Sequence, residues 1–345
     1  MPCSELGAET NGGSGWPIGF YDDGVLSASA PPQPTTPLVG RGVEIEAVAD
    51  LIAESRLVTL TGPPGVGKTR LALAVAALVA GRFAEGVAWV DLVPVRGAQQ
   101  LQAEVARALE GRADALPDRD ALLVLDNCEH LLDAVAELTH RMTAGSRLRI
   151  LATSRERLHL TVEREFAVPP LPMPDHADLG DLVALRRNHA MALLLARAPG
   201  GVSLTERSAR PLADICVRLD GLPLALELAA ARLRVFTPAE LAFRLEHRTA
   251  PLVGAPRDAP ARHRDLRAAI GWSHDLLTDR DRTVFRRLSV FPGEWTIAAA
   301  DAVCAVPDVL GSVESLLEKS LVQRGGSDGV TTRFRDVTDR ATTVR

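Results

Sequence analysis

Residues 57–80, LVTLTGPPGVGKTRLALAVAALVA, pass from an uncharged β-prone run through a loop of three glycines and two prolines into an alanine- and leucine-rich helix former. No other stretch limits the fold as tightly. A backbone that must turn through several positive-φ positions and then start a helix at once needs glycine, because a Cβ would obstruct both the dihedral and the close approach of a ligand. The run before the loop carries no charge and has leucine or valine at three of its five positions, with apolar residues on both faces. It therefore needs cover on both faces, which is the condition of a parallel sheet between layers of helices.

The rest of the first half repeats that arrangement. RLVTLT (56–61), GVAWVDLV (86–93), ALLVLD (121–126) and RLRILATS (147–154) are short apolar runs separated by helix-length segments. This order predicts an α/β fold, a parallel sheet with helices on both faces, over 38–172. The strand and helix at 86–109 predict an extra strand between the two strands that carry the motifs below.

Gly62, Gly65, Gly67, Lys68 and Thr69 fit the pattern G-x-x-x-x-G-K-[ST], after a strand and at the head of a helix. Inward-turned backbone amides and the positive end of the helix suit a polyphosphate. Lys68, one of two lysines among 39 basic residues, would reach the β and γ phosphates, and the Thr69 hydroxyl would ligate Mg²⁺. Pro63, Pro64, Val66 and Arg70 complete the candidate nucleotide-binding loop. Asp126, ending ALLVLD, would hold the Mg²⁺ through water; for that residue alone, capping the helix at 128–143 is the alternative. Asn127 then puts an amide where a general base is expected. Glu129 is left to polarise water, and hydrolysis should be slow. In ATSRE, Arg155 at the next strand end would read a γ-phosphate bidentately, or is a surface arginine. With both motifs in place the sheet over 38–172 is expected to be a P-loop NTPase parallel sheet, and the extra strand at 86–109 is as in the ATPase branch that includes AAA+ proteins.

After FAVPPLPMP (166–174) the strand signals stop. LGDLVALRRNHAMALLLARA, ERSARPLADICVRLD, LPLALELAAARLRV and TPAELAFRLE predict an all-α helical domain over 173–250. A proline-bearing link, APLVGAPRDAPA (250–261), leads into three or four helices and a β-wing, a winged-helix-like domain over 251–325. Residues 1–37, rich in Gly, Pro, Ser and Thr, predict a disordered N-terminal arm, and 326–345 an irregular tail.

A net charge of −5 gives no overall case for coating nucleic acid or an anionic membrane. RHRDLR and RDRTVFRR are basic, but Asp265, Asp279 and Asp281 interrupt them, so direct DNA contact is not expected. Cys3, Cys128, Cys216 and Cys304 form no C-x-x-C pair, so reduced thiols are expected rather than zinc or a redox dithiol. His130 and His274 have no second ligand at metal spacing. No apolar run nears the ~20 residues that span a bilayer, and the first residues lack a signal peptide's pattern. The expectation is a cytoplasmic chain with no membrane partner.

The ordered blocks LVGRGVEIEAVADLI, LVTLTGPPGVGKTRLALAVA, LLVLDNCEHLLDAVAEL, LRILATSRERL, RLDGLPLALELAAARLR, LRAAIGWSHDLLTDRDRTVFRRLSVF and SLLEKSLVQR resemble the STAND class of signal-transduction ATPases. More closely, they resemble the NB-ARC-like modules of bacterial LuxR-type transcriptional regulators, over about 38–323. The resemblance implies ATP or ADP with Mg²⁺ as cofactors, Val39, Gly40 and Arg41 near the adenine, and Pro223 of the GLPL motif (221–224) facing the nucleotide. Without the resemblance, DGLP reads as a helix stop and restart. It also implies a switch in which ADP keeps the module closed and ATP exchange opens it, with self-association or protein partners left open. Relatives usually continue into helical repeats, and many carry a DNA-binding domain. The sequence departs from the pattern after TRFR, with DVTDRATTVR, so a truncated or frame-shifted chain is expected. An AAA+-type ATPase with steady turnover and a truncated interaction fragment remain the alternative functions.

Overall fold

The computed structural model describes residues 31–109, 119–143, 147–200, 202–247, 277–291, 293–319, 321–327 and 331–336. Most of the expected arm, the 250–261 link, Cys3, Asp265 and His274 lie outside the described residues.

Five parallel strands, β1 (Leu57–Thr61), β2 (Val87–Asp91), β3 (Leu122–Asp126), β4 (Arg149–Thr153) and β5 (Glu163–Ala167), form one sheet in the order β2-β3-β4-β1-β5. The strand lying between β1 and β3 is therefore β4. β2, expected there from its place in the sequence, is at the edge, and it ends in exposed Asp91, which a central strand would have to bury. β5 has no apolar run to announce it. Among the described residues only one of its edges is paired, and Glu165 and Arg164 stay exposed while Glu163 is buried, accepting from the Leu158 amide at 2.8 Å.

Alternate strand residues feed two cores. Val58, Leu60, Leu122, Val124 and Leu151 pack under α1 (Gly42–Glu54) and α2 (Lys68–Val79). Leu57, Leu123, Leu125, Ile150 and Ala152 face α3 (Ala98–Ala108) and α4 (Leu132–Thr143). Burial on both faces explains why these strands read as continuous apolar runs.

The α1/α2 core continues without a break into five helices, α5 (Leu182–Arg187), α6 (His189–Arg197), α7 (Glu206–Arg218), α8 (Pro223–Arg232) and α9 (Pro238–Glu246). The single helical pattern expected near 179–198 is split, because Asn188 leaves helical geometry and caps α6 through the Met191 amide at 3.1 Å. Side chains of Asp181, Asn188, Thr205 and Thr237 cap α5, α6, α7 and α9, each offsetting amides that the first turn leaves unpaired. α8 has no such cap.

A third core belongs to α10 (Asp279–Leu288), α11 (Ile297–Cys304), α12 (Val309–Glu318) and the antiparallel pair β6 (Val322–Ser327) and β7 (Thr332–Asp336). β7 lies in the 326–345 segment, expected to be irregular beyond one possible wing strand. It is held by buried Phe334, whose ring lies 5.3 Å from that of Trp295. No described helix is long and apolar enough to cross a membrane.

Candidate functional site

The loop between β1 and α2 has the geometry its glycines permit. Gly62, Gly65 and Gly67 take φ of +140°, +80° and +100°. A Cβ on Gly67 would meet nothing within 4 Å, so the space beside the start of α2 is open. Lys68 extends back over the loop, its Nζ donating to Gly62 O at 2.7 Å and Pro63 O at 3.3 Å. An ammonium ion is thus fixed beside the amides of a helix start, the arrangement that suits a polyphosphate.

Across the sheet edge, Thr69 donates its hydroxyl to Asp126 Oδ1 at 2.9 Å. Asp126 also accepts from the Thr153 hydroxyl at 2.5 Å and from Asn127 Nδ2 at 2.9 Å, so β3, β4 and α2 meet on one buried carboxylate. Asp126 thus faces Thr69 across the sheet edge. The hydroxyl and carboxylate are the hard oxygen ligands Mg²⁺ takes, and the space beside the start of α2 is open, so the residues present fit both groups implied by the fold.

At the cleft floor, Arg155 Nε meets Glu129 Oε1 at 3.2 Å, with both side chains 5% exposed. Glu129 Oε2 is buried without a hydrogen-bond partner and Glu129 lines the cleft, so a polar ligand there would satisfy an orphaned oxygen. Arg155 is not a surface residue. Next to Glu129, burial, with the charges of Glu129 and Asp126, pushes the Cys128 thiol well above its usual range, so it is unreactive. Cys216, also free, is pushed up to about 12 by burial.

The cleft's other wall comes from the helical region. Pro223 and Leu224 face Pro64 and Gly65, and the Leu224 amide donates to Gly65 O at 3.1 Å. The uncapped start of α8 therefore uses a carbonyl of the phosphate-type loop. The turn before it is forced, since Asp220 and Gly221 take φ of +51° and +63° and a Cβ on Gly221 would lie 2.1 Å from Leu171 O. Leu171 and Leu193 add apolar surface, and Leu38 and Val39 close the top.

Some expected contacts fall elsewhere. Val39, Arg41, Pro64 to Arg70, Glu129, Arg155 and Pro223 line the cleft, and Gly40, Gly62, Pro63 and Asp126 are not among its lining residues. Gly40, at φ +69°, lies where a Cβ would come within 2.4 Å of the His189 ring, so it permits packing of α6. Arg41 is buried and tied to Glu44 at 2.8 Å and to Val66 O at 3.1 Å, bracing the loop. Arg70 turns away from the loop to Thr36, donating to its hydroxyl at 3.0 Å and its carbonyl at 2.5 Å. Burial lowers the Arg70 guanidinium's pKa, Glu227 opposes that shift, and Arg197 adds to it. Sequence reasoning missed Arg197 and Glu227. Glu227 sits four residues after Pro223 and so on the same helix face, a signal that was available; Arg197 offers none.

A family model described as an AAA domain matches residues 42–166. The Walker-type ATPase PABY2304 of Pyrococcus abyssi is similar in fold, with a TM-score of 0.56, 14% identity, and coverage of 88% of this chain and 95% of that one. Together with the loop geometry, this defines a P-loop ATPase fold, which implies nucleotide binding, usually with Mg²⁺. The chain belongs to the family of the Mycobacterium tuberculosis protein named "Uncharacterized protein Rv0894", at 35% identity over 305 residues covering 83% of this chain and 75% of that protein. It is 41% identical over 302 residues to the M. tuberculosis protein named "Putative HTH-type transcriptional regulator Rv0890c", covering 83% of this chain but 33% of that one. The chain thus spans about a third of the length of those regulators.

Proposed function

We propose that the chain is an ATP/ADP-binding switch of the STAND, NB-ARC-like kind related to transcriptional regulation. Its parts would be a nucleotide-binding domain over 38–172, a helical domain over 173–250 and a winged-helix-like domain over 251–325. The observation that carries this reading is the bond from the Leu224 amide to Gly65 O, because it makes the loop that would hold phosphates also hold the helical wall. Whatever moves the loop must then move α8.

Bound between the walls, Mg²⁺·ATP would supply a γ-phosphate whose charge distinguishes it from ADP. Lys68 and the loop amides would hold the phosphates, Thr69 and Asp126 the metal, and Val39 would face the base. Arg155, which pairs with Glu129, would respond to the γ-phosphate. For nucleotide to control shape, ATP and ADP must differ in their preference for two arrangements by several kcal/mol. Asn127 next to Asp126 supports slow hydrolysis over steady turnover, since its amide cannot take a proton from water and Glu129 is paired with Arg155.

Two ion pairs extend the reach of the cleft. Lys319 at the end of α12 lies 3.7 Å from Glu156, the neighbour of Arg155, and Arg335 of β7 lies 3.5 Å from Asp220, in the turn before Pro223. The C-terminal region therefore touches both elements that a change in nucleotide would move. The likeness to HTH-type regulators supports a transcriptional role for longer relatives.

The test is to denature purified protein, identify any released nucleotide by chromatography, and measure ATP turnover on the same preparation. The switch predicts retained adenine nucleotide and little turnover. Rapid, sustained turnover would favour the motor-like AAA+ alternative.

A further inference from the structure

Two arginines from different parts of the fold grip consecutive residues of one segment. Arg70, the first residue after the G-K-T signature, donates to the hydroxyl and carbonyl of Thr36. Arg197, at the end of α6, donates through Nη2 to Pro37 O at 3.1 Å. Glu227 on α8 holds Arg197 Nε at 3.1 Å and is also the main charge opposing the desolvation of Arg70. One carboxylate thus balances two guanidiniums that together fix residues 36 and 37. The next two residues, Leu38 and Val39, line the cleft.

The cleft is lined by two sets of groups. Thr69 and Asn127 meet on Asp126 and Arg155 pairs with Glu129, whereas Leu38, Val39, Leu171 and Leu193 pack together in the α1/α2 core. Arg70, Arg197 and Glu227 line the cleft as well. A nucleotide has the same division, with charged phosphates and a flat, largely apolar base. The gripped segment leads into the apolar set at Leu38 and Val39.

Resting on the nucleotide-binding reading above, we propose that Arg70, Arg197 and Glu227 form a clamp that positions Thr36 to Val39 as the base-side wall, and so set the preference for one nucleobase. Arg70 is then a positioning residue for the base rather than a phosphate ligand, despite its place in the loop motif. The clamp spans both walls, with Arg70 on α2 and the other two on α6 and α8. The base site is complete only when the walls are in register.

The experiment compares wild type with Arg197→Met and Arg70→Met, which keep an apolar stem but remove the donors. Affinities for Mg²⁺·ATP, Mg²⁺·GTP and Mg²⁺·tripolyphosphate are measured, together with hydrogen exchange of the 38–41 amides in nucleotide-free protein. Losing charge-assisted bonds to carbonyls should weaken ATP about tenfold in each variant. Tripolyphosphate affinity should stay within about twofold, the ATP-to-GTP ratio should fall, and exchange at 38–41 should quicken. If tripolyphosphate weakens by the same factor as ATP, the arginines act on phosphate and the clamp is wrong. Unchanged exchange at 38–41 in both variants overturns it as well. Wild-type protein that binds none of the three probes would instead overturn the nucleotide-binding reading, and with it the base preference, while exchange would still report whether the arginines hold the segment.

Discussion

The two walls of the cleft are made in different ways. The loop wall is a contiguous stretch, Pro64 to Arg70, whose shape follows from local dihedrals. The helical wall is assembled from Leu171, Leu193, Arg197 and the start of α8, which meet because one core runs from the sheet into the helical region. One wall is a local conformation and the other a product of packing. A local conformation can persist while packing shifts, so a ligand touching both can change their relation without remaking the loop.

The largest effect should come from the floor shared by the two walls. Arg155→Met strips the cation from buried Glu129, and breaking a buried pair costs about 3–5 kcal/mol. Chemical denaturation should show that loss, and adding Glu129→Leu should recover most of it. If the single variant is as stable as wild type, the floor is not built as described.

Lys68→Ala isolates the loop wall. With nucleotide at about a hundred times its Kd, wild type should gain roughly 2.7 kcal/mol of stability and the variant none, read from unfolding with and without ligand. Equal gains would show that binding does not depend on this loop.

Gly65 and Gly67 compare the walls directly. Both take positive φ, but a Cβ on Gly65 lies 2.8 Å from Leu224 Cβ while one on Gly67 meets nothing within 4 Å. Each change to Ala carries a backbone cost of about 1–3 kcal/mol. Gly65→Ala should cost more in nucleotide-free protein, and the excess measures how closely α8 presses on the loop. Equal costs would mean that the helical wall stands off.

The smallest effect tests the C-terminal contact. Burial raises the Glu156 carboxyl above its ordinary value, against the opposing charge of Lys319. A raised carboxyl pKa means that the folded state holds the proton more tightly than the unfolded one. The contribution of Glu156 to stability therefore rises as pH falls from neutral through the folded pKa toward 4.5, and is lost again as pH rises. Glu156→Gln should flatten that part of the stability-against-pH curve; an unchanged curve would show that Glu156 is not buried against α12.

The same contrast governs what could be read from the sequence. The loop, Lys68, Thr69 and Asp126 were legible because positive-φ glycines and a carboxylate ending an apolar run leave local traces. The α8 turn was legible as punctuation, although the sequence does not tell that the Gly65 carbonyl would stand in for a cap by accepting from the Leu224 amide. β5 went unseen because an edge strand with Glu163, Arg164 and Glu165 has no apolar run. Arg70 was assigned by proximity to the motif, and only the fold shows it reaching Thr36. Arg197 and Glu227 become neighbours through the packing of α6 on α8, which no local pattern encodes.

Equilibrium dialysis of folded wild-type protein against ATP and ADP, with and without magnesium, tests the central claim most directly. One nucleotide per chain, held more tightly when magnesium is present, is the predicted result. A well-folded chain that takes up neither nucleotide under either condition would contradict it.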